Sequence, residues 1–395
     1  MKIIVQKFGG TSVTTEEKRN KVIDKVAAAI EKGCSPVVVV SAMGRKGDPY
    51  ATDTLLSLIQ HTDSQIDKRD QDLLMCCGEI ISCVVMSEAF ARRGYKARAL
   101  TGGNAGILTN NSFGGADVLK VDTKLLRNML EQGIIPIVAG FQGMTKEGDF
   151  TTLGRGGSDV TGALLGAALQ AEAVEIYTDV DGIMTADPRI VPQAKVLSEI
   201  SYNDVFHLAH QGAKVIHPRA VEYAMKGNVP LLIKNTLNDA PGTMISKLKE
   251  VPIMNITGIT SMTERTQITL NYSEKNQPLD NKIFELLAKQ NISIDLINVF
   301  PNHKAFTISS NDTIQAENVM KQIGVDYQLV SNCSKVAIIG NGMKGIPGVM
   351  AKILKTLDEN NIPVLQTADS HSTIWCLIHQ DDNSIAVNQL HRAFF

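Results

Sequence analysis

The chain has 395 residues and a formal net charge of -2 at neutral pH, with 44% hydrophobic and 20% charged residues. That length allows two or three domains with a substantial core, and the near-zero charge excludes bulk attraction to nucleic acid or an anionic membrane, so an anionic ligand has to be held by local positive groups. There is no run of eighteen apolar residues and no charged-then-apolar leader, which makes a cytoplasmic protein the expectation.

The first strand is expected at Lys2 to Phe8, and it stops at Gly9-Gly10-Thr11-Ser12, a turn at which a ligand can approach the backbone. Lys7, at the carboxyl end of that strand, is either a phosphate ligand or a lysine snorkelling from a strand end. An amphipathic helix from Glu16 to Lys32 follows, with Val22, Val26, Ala29 and Ile30 on one face and Gly33 ending it. Pro36 to Val40 is a continuous apolar run, the pattern of a strand covered on both faces, and it leads into Ser41-Ala42-Met43-Gly44. The polar stretch Arg45 to Asp53 is expected to be a mobile loop at the same sheet edge. Leu73 to Arg92 reads as a mostly buried helix that carries Glu79, whose charge needs a partner, either a structural arginine or the ammonium group of a ligand. Six cysteines, Cys34, Cys76, Cys77, Cys83, Cys333 and Cys376, show no CxxC spacing and read as reduced thiols.

Two further buried strands are expected at Ala97 to Leu100 and Ile134 to Ala139, separated by the Gly- and Asn-rich piece Thr101 to Gly115 and a helix around Asp122 to Gln132. Strands alternating with helices predict a three-layer α/β architecture, an open and mostly parallel sheet with helices on both faces. Phe150 to Leu153 leads into TTLGRGGSDVTG at Thr151 to Gly162, read as a strand end, a glycine turn and a helix start. Gly154, Gly156 and Gly157 remove Cβ atoms that would keep a ligand off the backbone, Ser158 or Asp159 can cap the helix, and Arg155 adds a fork suited to a carboxylate or phosphate. A tight connection with one surface arginine is the plainer alternative. Ala173 to Tyr177 is the next strand, followed by the acidic, Gly- and Pro-containing loop Thr178 to Arg189, which is either solvated or on the nucleotide side. Helices are expected at Tyr202 to Gln211 and Arg219 to Lys226, with Lys214 in the turn between them as a second candidate phosphate lysine. His207, His210 and His217 have no metal-binding spacing, and no metal site is expected. Leu231 to Lys234 closes this part.

From about Val251 the texture changes, giving expected domains of residues 1–250, 251–330 and 331–395. The last two read as one βαββαβ plan used twice, with strands open to exchange between them. Its elements are Gln267 to Tyr272, Leu279 to Gln290 and Ile292 to Phe300, then Lys335 to Ile339, Gly348 to Asn360, Ile362 to Gln366 and Thr373 to His379.

KFGGTS at Lys7 to Ser12, SAMG at Ser41 to Gly44, TTLGRGGSD at Thr151 to Asp159, YTDVDGIMTADPR at Tyr177 to Arg189 and GAKVIHPRA at Gly212 to Ala220 occur in one order across the chain. Together they resemble aspartokinase of the amino acid kinase superfamily, and the repeated C-terminal units resemble its paired, ferredoxin-like ACT domains. NGMKGIPGV and QTADSHSTIW are most similar to the single-subunit bacterial enzymes inhibited by diaminopimelate. The resemblance implies Mg²⁺-ATP and L-aspartate as substrates, 4-phospho-L-aspartate as product, and a place in lysine, threonine, methionine and diaminopimelate synthesis. By position it implies Lys7 against the transferring phosphoryl group, Asp159 holding that lysine, Arg155 on the α-carboxylate of aspartate and Glu79 on its ammonium group. Ser41, Thr52, Gly156, Gly157 and Ser158 would line the same pocket. Phe8, Gly9, Gly10, Thr178, Asp179, Met184, Arg189, Lys214 and Val215 would surround ATP. Asp295, Asn298, Gln366 and Asp369 are implied for a regulatory amino acid (diaminopimelate, lysine or threonine). NQPLDNK at Asn276 to Lys282 departs from the Asp-x-Pro-Gly turn common in the family, whereas GIPGV at Gly345 to Val349 retains one, so either unit could hold the effector. A homodimer joined through ACT sheets is also implied. A glutamate-type kinase of the same superfamily and a catalytically silent amino-acid sensor are the alternatives.

Overall fold

The computed structural model describes residues 1–59, 65–213, 215–247, 255–271, 280–341, 343 and 347–395. It divides into two compact units: Met1–Ile183, Val196–Ala209 and Lys214–Lys249 form the first, and Met184–Lys195, His210–Ala213 and Glu250–Phe395 the second.

The first unit opens with β1 (Lys2–Phe8), α1 (Glu16–Glu31), β2 (Cys34–Val40), α2 (Thr52–Ser57), α3 (Lys68–Arg92) and β3 (Ala97–Leu100). It continues with β4 (Ile107–Thr109), β5 (Val118–Val121), α4 (Lys124–Glu131), β6 (Ile135–Ala139), β7 (Gln142–Met144), β8 (Phe150–Thr152) and α5 (Gly157–Leu169). β9 (Ala173–Thr178), β10 (Glu199–Ser201), α6 (Tyr202–His210), α7 (Pro218–Gly227), β11 (Leu231–Asn235) and β12 (Thr243–Ser246) complete it. Eight strands form one sheet in the order β10-β12-β11-β9-β1-β2-β6-β3, parallel throughout except where β11 meets β12.

Val37 to Val40 of β2 are all buried, because helices cover both faces of the sheet. On one face Val22 and Val26 of α1 and Met86 and Phe90 of α3 share a core with Phe8, Val38 and Ile137. The neighbouring Lys7 points the other way, toward α5, which packs on β1 and β9. This three-layer arrangement is the one expected from the alternating pattern. By length and hydropathy α3 could cross a membrane, but it packs against β3, β6 and β8 and carries buried Asp72 and Glu79, so it is a core helix. Two features depart from the sequence reading. Residues 45–53 are not loop throughout, since α2 begins at Thr52, and the stretch around the glycine turn builds a separate small sheet, β5-β4-β7-β8. All six cysteines are free.

The second unit contains β13 (Asn255–Asn271), α8 (Asp280–Lys289), β14 (Asp295–Val299), β15 (His303–Ser309), α9 (Thr313–Ile323) and β16 (Asp326–Asn341). α10 (Val349–Asp358), β17 (Gln366–Asp369), β18 (Thr373–His379) and α11 (Asn383–Phe394) follow. Its sheet runs β14-β15-β13-β16-β18-β17. β13 and β16 pair along their whole lengths, with register shifts at Ile256/Gly258, Met262/Arg265 and Arg265/Gln267. The later half of β13 lies beside β15, and the later half of β16 beside β18. Each half has its own core, Ile268, Leu270, Ile283, Phe306 and Val319 in one and Ile259, Val336, Ile338, Ile353 and Leu390 in the other. The expected strand at Ile362 to Gln366 starts four residues later, at Gln366. Ile362 and Val364 pack into a core without joining a ladder, which gives an apolar run that imitates a strand.

Candidate active site

Four parallel strands end side by side: Phe8 lies opposite Val40 and Tyr177, and Val40 opposite Ala139. The turns that leave these ends therefore share one edge, where parallel α/β sheets bind ligands. Gly10 is required there, since a Cβ at this position would lie 2.4 Å from the Ala42 carbonyl oxygen. The close approach lets the Gly44 amide donate to Gly10 O at 3.2 Å, tying the first turn to the second.

Lys7 is only 8% exposed, and its Nζ lies 2.6 Å from Asp159 Oδ1. Asp159 sits in the first turn of α5. That helix starts at Gly156, whose φ of +71° and whose approach to the His217 side chain, 2.3 Å from a would-be Cβ, exclude any side chain. Neither Ser158 nor Asp159 caps the helix as expected. Gly156 holds the N-cap position without a side-chain bond, and the Asp159 carboxylate is directed to Lys7 instead.

A cavity of about 490 Å³ opens at this edge, entirely within the first unit. Lys7, Gly10, Ser41, Thr52, Glu79, Arg155, Gly156, Gly157, Ser158 and Asp159 all line it, so every residue expected to touch the substrate, with Lys7 and Asp159, converges here. Glu79 is 2% exposed. Its Oε1 accepts from the Ala42 amide at 3.1 Å, whereas its Oε2 is buried with no partner among the described residues. Burial pushes its carboxyl up to about 8, against the opposing pull of the Ala42 N–H. A buried carboxylate oxygen left unpaired is costly unless a cation arrives to meet it. Arg155 is exposed, with no ion pair among the described residues. The cavity thus offers a fork for a carboxylate, an acceptor for an ammonium group and a lysine held ready for a phosphoryl group.

The sequence reading missed three residues here. Arg45 and Lys46 line the cavity and add positive charge, and Arg45 also pairs with Asp179 at 2.7 Å. Asp72 is fully buried and accepts from the Gly114 amide at 3.0 Å, the Thr152 amide at 2.7 Å and the Thr152 hydroxyl at 2.9 Å. Gly114 and Thr152 both line the cavity, so Asp72 fixes part of its wall. A signal existed in the sequence: Asp72 precedes Glu79 by seven residues, two helical turns, and so shares its face.

The nucleotide set is more dispersed. The Phe8 side chain is buried and stacks on Tyr177 at 4.7 Å between ring centroids, which leaves only its backbone for a ligand. Gly9, Thr178, Asp179, Met184, Arg189 and Val215 do not line the cavity, and Lys214 lies outside the described residues. Among the described residues no cluster of three or more His, Cys, Asp or Glu side chains is placed to hold a metal ion.

Of the effector candidates, Asn298 and Gln366 meet directly. Gln366 Nε2 donates to Asn298 Oδ1 at 2.5 Å and to the Leu296 carbonyl, while Gln267 donates to Gln366 Oε1 at 2.8 Å. Asp295 pairs with the buried Lys335, and Asp369 is exposed at the end of β17. The Asp-x-Pro-Gly comparison falls mostly outside the described residues, at 272–279 and 344–346.

Residues 2–235 match the model of the amino acid kinase family, and residues 328–392 an ACT domain. Aspartokinase 1 of Bacillus subtilis is 45% identical over 100% of this chain and 99% of its own length. The structure of E. coli aspartokinase III in complex with aspartate and ADP (R-state) superposes with a TM-score of 0.81 at 27% identity, covering both chains completely. The same enzyme in complex with lysine and aspartate (T-state) gives a TM-score of 0.80 at 26% identity, over 100% of this chain and 99% of the other.

Proposed function

Because the chain belongs to the aspartokinases of the amino acid kinase family, we propose that the cavity at the ends of β1, β2 and β6 is where its reaction takes place. That reaction is transfer of the γ-phosphoryl group of ATP to the side-chain carboxylate of L-aspartate, with feedback control through the ACT units. The observation that carries the assignment of the site is the unpartnered Glu79 Oε2 in the same cavity as Lys7 and Arg155.

Glu79 receives the ammonium group of aspartate and Arg155 grips its α-carboxylate, with Ser41, Thr52, Ser158 and the Gly156-Gly157 backbone completing the contacts. The β-carboxylate is ionised at neutral pH and needs no general base. What remains is electrostatic, since two anions must meet and the transition state spreads charge over the phosphoryl oxygens. Lys7, pre-oriented by Asp159, supplies fixed positive charge at that point without reorganising. Mg²⁺ would enter as the Mg-ATP substrate, held chiefly by the phosphates and water. Gly9, Gly10 and the backbone of Phe8, with Thr178, Asp179, Met184, Arg189, Lys214 and Val215, form the nucleotide side.

The acyl phosphate product would enter lysine, threonine, methionine and diaminopimelate synthesis in the cytoplasm. The regulatory amino acid is one of lysine, threonine or diaminopimelate, and the domains run over 1–250, 251–330 and 331–395. β14 is an edge strand with Ile297 and Val299 exposed, as is Phe300 just after it, and a second copy of the chain pairing there would cover them. The test is ADP release with Mg-ATP and L-aspartate, L-glutamate as control acceptor, and each candidate effector added singly. Aspartate-dependent turnover suppressed by one effector supports the reading. Turnover with glutamate, or none with either acceptor, contradicts it.

A further inference from the structure

Phe141 leaves the end of β6 through Gly140 and enters β7 with a φ of +69°, a left-handed backbone that is costly for a bulky aromatic residue. Both of its main-chain polar groups are tied to the chain that flanks the glycine turn. The Phe141 amide donates to Thr161 Oγ1 at 3.0 Å, and its carbonyl accepts from the Leu153 amide at 2.8 Å. The fully buried Thr161 in turn donates its hydroxyl to Gly157 O at 2.9 Å. A glycine at position 141 could make the same two main-chain bonds without strain, so what phenylalanine alone contributes is its ring.

That ring is half-buried, lines the cavity and packs on the start of α5: a Cβ on Gly157 would lie 2.7 Å from Phe141 Cδ2 and 3.0 Å from Phe141 Cα. Gly140 approaches as closely, since a Cβ there would lie 2.8 Å from Ser158 Cβ. The first turn of α5 is therefore seated against residues 140 and 141 rather than fixed by a cap of its own, as Gly156 makes no side-chain bond. Asp159 stands two residues beyond Gly157 in that turn, and its Oδ1 holds Lys7 Nζ at 2.6 Å. A residue kept in an unfavourable backbone conformation beside such groups points to a task for its side chain.

We propose that Phe141 is a positioning residue for phosphoryl transfer: its strained backbone brings the ring onto Gly157, and the ring fixes the first turn of α5, which carries Asp159 and, through it, Lys7. This rests on the reading of the cavity as the place of phosphoryl transfer. The backbone strain at Phe141 is thus offset by a turn that does not have to reorganise during the reaction.

The test compares Phe141→Gly and Phe141→Ala with the conservative Phe141→Leu, and with Lys7→Ala as the reference, by steady-state kinetics and thermal melting of the full-length protein. Glycine relieves the left-handed backbone and alanine keeps it strained, so the glycine variant should melt above the alanine one. Both lack the ring, and both should lose kcat about ten- to a hundredfold, the scale on which a displaced catalytic group loses rate, while KM for aspartate stays within about threefold. Phe141→Leu, which keeps apolar bulk over Gly157, should recover most of that kcat. A glycine variant with kcat within twofold of the parent, or a kcat that follows the melting temperature across the three variants, would show a purely structural role and overturn the proposal. If Lys7→Ala loses kcat and the position 141 variants do not, the inference falls while the cavity reading stands. If Lys7→Ala keeps near-normal kcat, both fall. Phe141→Gly, which the backbone admits without strain, keeps the test decisive if Phe141→Ala does not fold.

Discussion

If Glu79 receives the ammonium group of aspartate, substrate binding must depend on its protonation. The free protein holds this carboxyl at about 8, because burial is only partly offset by the Ala42 amide. Only the carboxylate pairs with an ammonium ion, so the apparent KM for aspartate should be flat above pH ~8 and rise as pH falls, about tenfold by pH 7 and about a hundredfold by pH 6. Aspartate binding at pH 7 should therefore release close to one proton, measurable by titration calorimetry in buffers of different ionisation enthalpy. The same shift fixes the sign of the stability change. The folded value lies above the unfolded one of 4.5, so the stability present below that pH is lost as pH rises through about 8, and the ligand-free protein should melt lower at pH 8.5 than at pH 5. Glu79→Gln should abolish the pH dependence and, at pH 8.5, raise KM by roughly a hundredfold, the scale of breaking one buried ion pair. A KM for aspartate that stays flat from pH 6 to 8.5 in the unmodified enzyme, with no proton released on binding, would refute this role of Glu79.

Arg155→Lys should raise KM for aspartate by about tenfold with little change in kcat, because the planar two-point grip is lost while the charge remains; equal KM values would move the clamp elsewhere. Asp72→Ala leaves the Gly114 and Thr152 amides without their buried acceptor and should cost about 2 to 4 kcal/mol in denaturant unfolding. Gly156→Ala combines a left-handed φ with a clash against His217 and should lose about 1 to 3 kcal/mol of stability, together with most activity. Val299→Lys on the exposed edge of β14 should shift sedimentation from dimer toward monomer if a second copy seats there.

Much of the first unit was legible in the sequence because its local signals agree with its tertiary surroundings. Val37 to Val40 read as a doubly covered strand and are one, and the glycines at positions 10 and 156 stand where the backbone admits nothing larger. The second unit was less legible. β13 and β16 are single strands of 17 and 16 residues, yet their bulged middles carry polar residues such as Thr263, Glu264 and Ser331, which divide each strand into an apparent loop and a short strand. Within the site, Glu79 stood out as an acid in an apolar helix, whereas Asp72 lies near the polar start of the same helix and its partners are distant in sequence. The docking of Ala186 and Val191 into the second core could not be read locally, since their loop carries turn residues and charges that suggest solvent.

The most direct test of the account is kcat for Lys7→Ala at saturating Mg-ATP and aspartate, with aspartate affinity measured independently. Lys7 is buried beside Asp159 and lines the cavity, so its removal deletes one preorganised positive charge. The account predicts a loss of about 3 to 4 kcal/mol in transition-state stabilisation, roughly a 10²- to 10³-fold fall in kcat, with aspartate affinity nearly unchanged. A variant that keeps near-normal kcat would remove Lys7 from the chemistry and contradict the placement of phosphoryl transfer in this cavity.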